Sequence, residues 1–101
     1  MDDLRTRFLP RFIATARQRI AHSREQMERG NANGLWAELH AVAGEAAILG
    51  LEELAGAVGL GEAAAKRWRD GGSEATERVL CEESLVSLQA GLDRLDAGGS
   101  S

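Results

Sequence analysis

His40 is the residue of this 101-residue chain whose neighbours point most clearly to chemistry. A neutral imidazole is available as a nucleophile near neutral pH, and histidine can carry a covalent intermediate on a ring nitrogen. The segment Leu35–Gly50 predicts an amphipathic helix in which Leu39 faces the core, so that His40 points about 100° away from it. Gly44 follows one turn later, although a helix interior normally avoids glycine. The pattern therefore predicts a histidine that something large can approach closely.

The helix predicted to begin at Leu51 supplies a carboxylate that could orient this ring. Residues equidistant from the turn at Gly50 face each other in a helical hairpin, which sets Glu62 level with His40. Glu62 also falls on the inward-facing side of its helix, where a carboxylate needs a partner. A hydrogen bond to one ring nitrogen would hold the tautomer and leave the other nitrogen basic. Lys66, one turn further on, could contact an incoming phosphoryl group.

Each of these features also has an ordinary structural interpretation. Gly44 could mark a close contact between helices, and Glu62 could reach solvent or pair with Lys66 four residues on. Trp36 and Trp68 are expected at the rim of the core. Cys81 is expected to be a small buried hydrophobic residue.

The apolar pattern along the chain predicts an all-α fold. Apolar positions recur at helical spacing, there is one proline, and no segment alternates as a strand does. Four long amphipathic segments with short connections predict an antiparallel four-helix bundle. A short extra N-terminal helix is expected over residues 2–9, with Pro10 in the first turn of the next helix. We expect the bundle to span residues 1–97 and residues 98–101 to form a flexible tail.

Turn residues and apolar stripes predict the helix ends and the core. Gly30 and Gly50 are suited to end helices, and Ser73 is suited to cap the last one. The positions expected to face the core are Phe12, Ala16, Ile20, Ser23, Met27, Leu35, Leu39, Val42, Ala46, Leu49, Leu51, Leu54, Val58, Ala65, Trp68, Cys81, Leu85, Leu88, Leu92 and Leu95.

Composition and charge narrow the classes of function. The chain has 16 acidic and 12 basic residues, a formal charge of −4, which argues against nucleic acid as the main partner. No apolar run approaches the roughly 20 residues that span a bilayer, and the charged N-terminus lacks the apolar segment of a signal peptide. We therefore expect a cytoplasmic protein with no membrane partner. The single cysteine can form neither an internal disulfide nor a cysteine-based zinc site.

The stretch from Leu35 to about Lys66 resembles a histidine-containing phosphotransfer (Hpt) domain. The family signature is His-x-Leu-Lys-Gly, then an Ala or Ser, a Leu-Gly pair and a further Leu. It is matched here by His40-Ala-Val-Ala-Gly44, Ala46, Leu49-Gly50 and Leu54. The resemblance implies a four-helix bundle with a short extra helix. It also implies that His40 is phosphorylated, that Gly44 lets a receiver domain dock, and that Glu62 hydrogen-bonds the histidine.

The chain departs from the family pattern at Ala43 and at Gly61. Ala43 stands where the signature has lysine, which removes one cation near the phosphate. A His-x-x-Ala-Gly form occurs among bacterial members, so the resemblance is weakened rather than broken. Gly61 stands where an apolar residue is usual, which predicts local slack in the core.

The leading hypothesis is a bacterial phosphorelay intermediate in a two-component system. His40 would exchange a phosphoryl group with a sensor histidine kinase or with the aspartates of response-regulator receiver domains. The chain would be a carrier without kinase activity, because it has no glycine-rich nucleotide loop. We expect a monomer with no cofactor and no metal of its own, since Mg²⁺ would be bound by the receiver.

Two other classes of function stay open at this point. The first is a non-phosphorylated helical adaptor that docks on receiver or sensor domains, for which Ala43 is the one hint. The second is a metal or cofactor bundle, which would need inward Glu and Glu-x-x-His pairs. Neither His22 nor His40 belongs to such a pair, so the second alternative is the weaker.

Overall fold

A computed structural model gives the fold and describes residues 3–99. Helix α1 spans Asp3–Glu28, α2 spans Ala32–Ile48, α3 spans Glu52–Arg69 and α4 spans Glu74–Gly99. Each helix packs against two neighbours, in the order α1, α2, α3, α4 and back to α1. Within residues 3–99 there are four helices and no strand, so the predicted all-α class is confirmed.

Helix α1 is continuous and contains Pro10. The separate short helix predicted over residues 2–9 is therefore wrong, and residue 2 itself lies outside the described part. Pro10 lacks the amide hydrogen that would bond the carbonyl of Thr6, but both residues are exposed, so water can reach that carbonyl. Leu9 packs against the common core, and this burial favours one uninterrupted helix over a break at Pro10.

The helix ends follow the turn residues that the sequence offers. Gly30 and Gly50 have φ of 70° and 75°, a left-handed conformation that glycine adopts without strain and that ends a helix. The side chain of Asn31 caps α2 by accepting a backbone amide hydrogen bond. Oγ of Ser73 accepts the amide of the residue three positions on at 3.3 Å. The predicted N-cap of α4 is thereby confirmed.

Helix α4 continues to Gly99. The first two residues of the tail predicted over residues 98–101 are therefore helical, whereas residues 100 and 101 lie outside the described part. The domain boundary at residue 97 stays a prediction.

The predicted apolar stripes meet in one core between the four helices. Leu39 and Val42 of α2 are 1% exposed and lie on either side of His40 in sequence. Because these two side chains point into the core, the face of α2 that carries His40 points toward solvent. Three of the predicted core positions are only partly buried at its rim, namely Leu49, Trp68 and Leu95. The core therefore determines which face of α2 carries the histidine.

Helices α3 and α4 approach closely at Gly61, which is buried. A Cβ at this position would overlap the side chain of Ser84 and lie 3.3 Å from Cδ1 of Leu39. Ser84 is held there, because its Oγ donates a 2.7 Å hydrogen bond to the carbonyl of Ala57. The slack predicted at Gly61 is wrong, since the facing helix fills the space.

Candidate functional site

His40 and Glu62 meet on the surface between α2 and α3. Nδ1 of His40 lies 2.7 Å from Oε2 of Glu62. The side chain of His40 is 62% exposed and that of Glu62 is 24% exposed, so the carboxylate is the more sheltered partner. The bond occupies Nδ1 and leaves Nε2, the other ring nitrogen, for a reactant.

Glu62 is paired with the ring rather than with the lysine one turn further on. Lys66 is exposed on α3, and within residues 3–99 the side-chain partner of Glu62 is Nδ1 of His40. The structure therefore brings His40 and Glu62 together, while Lys66 stands beside them as a solvent-exposed cation.

The ring of His40 also stacks on Trp36, one turn earlier in α2. The two ring centroids are 4.9 Å apart and the ring planes differ by 17°. The guanidinium of Arg69 lies over the same indole, with Cζ 5.1 Å from the ring centroid. Nη1 of Arg69 is 3.4 Å from Oδ1 of Asn33. The indole of Trp36 therefore contacts both the imidazole of His40 and the guanidinium of Arg69.

Sequence reasoning recognised only part of this stack. Trp36 is half-buried against the core, as expected of a rim residue, but its contact with His40 was not predicted. The available signal was the spacing of four residues, which puts both rings on one face of α2. Arg69 gave no signal, because its contact depends on how α3 lies against α2.

The face of α2 around His40 is formed by small residues. A Cβ placed on Gly44 would meet no atom within 4 Å, so the alternative of a close helix contact at Gly44 is wrong. Ala37 and Ala47 are also exposed on this helix, and they lie near His40 in angle about the helix axis. Ala43 is half-buried and packs against the core. On the side away from Trp36, the imidazole is therefore unobstructed by its own helix.

An apolar groove lies between α1 and the C-terminal end of α2. It encloses about 300 Å³ and is lined by Phe8, Arg11, Phe12, Thr15, Glu45, Ile48 and Leu49. Ile48 is 78% exposed and follows Gly44 by four residues, which places both on one side of α2. One wall of the groove, at Ile48, therefore lies one turn beyond Gly44 on that side of α2.

Cys81 lies apart from this face, buried in α4. Its thiol is directed toward the carbonyl of Gly61, with Sγ 3.7 Å from the oxygen. Burial raises the pKa of the Cys81 thiol to about 11, and the carboxylate of Glu77 adds to the effect. A thiol held protonated in this way is a core residue rather than a nucleophile at neutral pH, as the sequence predicts.

The site thus consists of an exposed histidine held by a carboxylate from the next helix of an all-α chain. The sequence model of the Hpt domain matches residues 7–98. The chain therefore belongs to the Hpt domain family, whose members serve histidine phosphotransfer in two-component signalling. Comparison with curated proteins and with solved structures gives no match.

Family membership gives the general setting of the site. Hpt domains are phosphocarriers rather than kinases, and they work with sensor kinases and response-regulator receivers. In the part of the chain that the structure describes, no helix has both the length and the apolarity to cross a membrane. Nor do three side chains suited to hold a metal ion come together within residues 3–99.

Proposed function

We propose that His40 accepts a phosphoryl group from a sensor histidine kinase or a receiver aspartate and passes it to the aspartate of a response-regulator receiver domain. The observation that carries the proposal is the 2.7 Å contact between Nδ1 of His40 and Oε2 of Glu62, beside an exposed ring in a chain of the Hpt family.

Glu62 prepares the imidazole for attack. In the tautomer that has its proton on Nδ1, this nitrogen donates to the Glu62 carboxylate, and Nε2 presents its lone pair to the donor. As the bond from Nε2 to phosphorus forms, the bond from phosphorus to the donor's oxygen or nitrogen breaks, and the leaving group departs with that electron pair. The ring becomes cationic, and the Glu62 carboxylate stabilises the charge. The same steps in reverse deliver the phosphoryl group to an aspartate.

Partner access depends on the surface around the ring. Gly44 leaves open space beside His40, and the groove at Ile48 offers apolar area to the same partner. Lys66 lies in the last turn of α3, where a cation can contact an incoming phosphoryl group. We assign Gly44 to receiver access and Lys66 to this phosphate contact.

Two pairs of contacts support an antiparallel course of α2 and α3, because the later residue of α2, His40, meets Glu62, whereas the earlier Asn33 meets Arg69. We expect a monomeric bacterial carrier in the cytoplasm, with no kinase activity, no cofactor, no resident metal and no nucleic-acid partner.

The proposal is tested by chemical phosphorylation of the purified protein with phosphoramidate, followed by intact mass. We expect a single acid-labile phosphate on the wild type and on His22→Gln, and none on His40→Gln. His22 is the matched control because it is the other histidine and is likewise exposed on a helix. A folded wild type that takes up no phosphate, or a His40→Gln variant that takes it up, contradicts the proposal.

A non-phosphorylated adaptor is the second candidate, and Ala43 favours it because it supplies no cation beside the ring. The His40→Gln variant separates the two functions. An adaptor would keep its binding to a receiver domain and its signalling output, whereas a carrier would lose the output.

A further inference from the structure

We propose that Trp36 is a positioning residue for phosphoryl transfer, which holds the plane of the His40 ring, and that Arg69 holds Trp36 in turn. This inference rests on the proposed function of His40. The contact in question is the stacking of the His40 ring on Trp36, which the hydrogen bond to Glu62 cannot replace.

The bond to Glu62 restrains one atom of the imidazole. It fixes Nδ1 but leaves the ring able to tilt about the line from Nδ1 to Oε2 of Glu62. With 62% of the side chain exposed, little packing on the solvent side opposes this motion. The indole of Trp36 lies against the ring face, 4.9 Å away and 17° from parallel. An in-plane bond and a face contact together define the direction of Nε2.

Trp36 can act as a support because it is itself held. Its indole is half-buried against the core, and the Arg69 guanidinium covers the ring with Cζ 5.1 Å from the centroid. That guanidinium is held by Asn33 at 3.4 Å and by Asp70, whose Oδ1 lies 3.1 Å from Nε. A cation over an indole face is a favourable contact, so the anchored guanidinium helps to hold Trp36 in place.

Ring direction matters because phosphoryl transfer is in line. The lone pair of Nε2 must point at phosphorus opposite the leaving group, and a displacement of about 1 Å can cost about a hundredfold in rate. A loosened ring also spends part of its time facing away from the donor. Removing Trp36 should therefore slow transfer while the fold and the pairing with Glu62 persist.

The first test measures phosphoryl transfer to the full chain from a phosphorylated receiver domain, because a docked donor fixes the direction from which phosphorus is presented. Trp36→Leu should reduce the rate about tenfold, and Trp36→Phe, which keeps an aromatic face, should stay within about threefold of the wild type. Trp68→Leu is the matched control. Trp68 is also half-buried at the core rim, and it has Arg78 over its ring at 5.6 Å, but it has no contact with His40 among the described ring contacts.

A second measurement separates ring positioning from a general loss of packing. In the nuclear magnetic resonance spectrum, the carbon-bound ring protons of His40 should be shifted by the indole ring current in the wild type and in Trp68→Leu. Trp36→Leu should abolish that shift. In a double-mutant cycle, the change in transfer rate of the Trp36→Leu/Glu62→Gln variant should differ from the product of the two single changes by more than about twofold. For the Trp68→Leu/Glu62→Gln variant, the change in rate should equal that product.

Failure of the positioning role of Trp36 and failure of the proposed function of His40 give different results. A wild type that takes up no phosphate from phosphoramidate refutes the proposed function, and with it any role of Trp36 in transfer. The ring-proton shifts then still decide whether the stack exists. A folded Trp36→Leu variant that accepts phosphate from the receiver domain at the wild-type rate overturns the positioning role. So does an unchanged ring-proton shift, or a cycle in which the two substitutions act independently.

Discussion

Replacing Gly44 by alanine separates the stability of the domain from access to its histidine. A Cβ at this position meets no atom within 4 Å, so the substitution causes no overlap within the folded chain. Alanine is favoured over glycine in a helix interior by about 1 kcal/mol. We expect the free energy of unfolding to rise by about that amount, and the melting temperature by about 4–8 °C for a domain of this size.

The same methyl group should interfere with a docked partner. Uptake of phosphate from phosphoramidate, which needs no docking, should remain within about twofold of the wild type. Transfer from a phosphorylated receiver domain should slow by at least about fivefold, because an extra methyl in a close-packed contact costs about 1 kcal/mol or more. The two donors can be compared on the same preparations by following the phosphorylated fraction with time.

Gly56→Ala provides the matched control. Gly56 is also an exposed helical glycine with open space around its Cβ position, but it lies on α3. It should give the same gain in stability with no change in transfer from either donor. A Gly44→Ala variant that accepts phosphate from the receiver at the wild-type rate would refute the access argument. Equal slowing with both donors would show that Gly44 acts on the imidazole itself.

Three further changes test other parts of the structure. Gly61→Ala should lower the free energy of unfolding in a denaturant titration by about 1–3 kcal/mol, because the added Cβ overlaps Ser84, and a stabilised variant would contradict the close approach. Burial raises the pKa of the Cys81 thiol from 9.0 to about 11. The unfolded chain therefore loses this proton first, and stability should fall between about pH 9 and 11 by up to about 1.4 kcal/mol per pH unit. Cys81→Ala should remove this part of the slope, and an unchanged slope would refute the assignment. Ala43→Lys should speed phosphate uptake by His40 about fivefold at low salt, the effect of about 1 kcal/mol for charges about 4 Å apart in water. The gain should largely disappear at high salt, and a gain that persists there would argue against a charge effect.

The sequence alone determined most of the secondary structure and, within the site, the pairing of His40 with Glu62. Helical spacing of apolar residues predicts α2, α3 and α4 and nearly all of the core, because a helix must bury its apolar stripe. Glycine and cap residues predict the helix ends, because they act within a single turn. The meeting of His40 and Glu62 could be predicted from the length of the hairpin about Gly50, since helix rise fixes which residues are level.

Local reasoning was wrong where a competing interaction came from another helix. Pro10 is an acceptable helix start in isolation, but Leu9 has a place in the common core, and this burial supports one continuous α1. Gly61 suggests a gap when α3 is considered alone. Its partner is Ser84 of α4, which comes close to Gly61 only when the two helices pack together.

Only the tertiary structure decided what surrounds the imidazole on its remaining sides. The spacing of Trp36 and His40 allows a contact, but the ring stack depends on side-chain rotamers that packing selects. The position of Arg69 over the indole depends on the distance and rotation between α2 and α3. The whole core sets this distance and this rotation, and no local pattern does. The sequence therefore predicts the residues that bear the chemistry better than it predicts Trp36 and Arg69 as the residues that hold the imidazole in place.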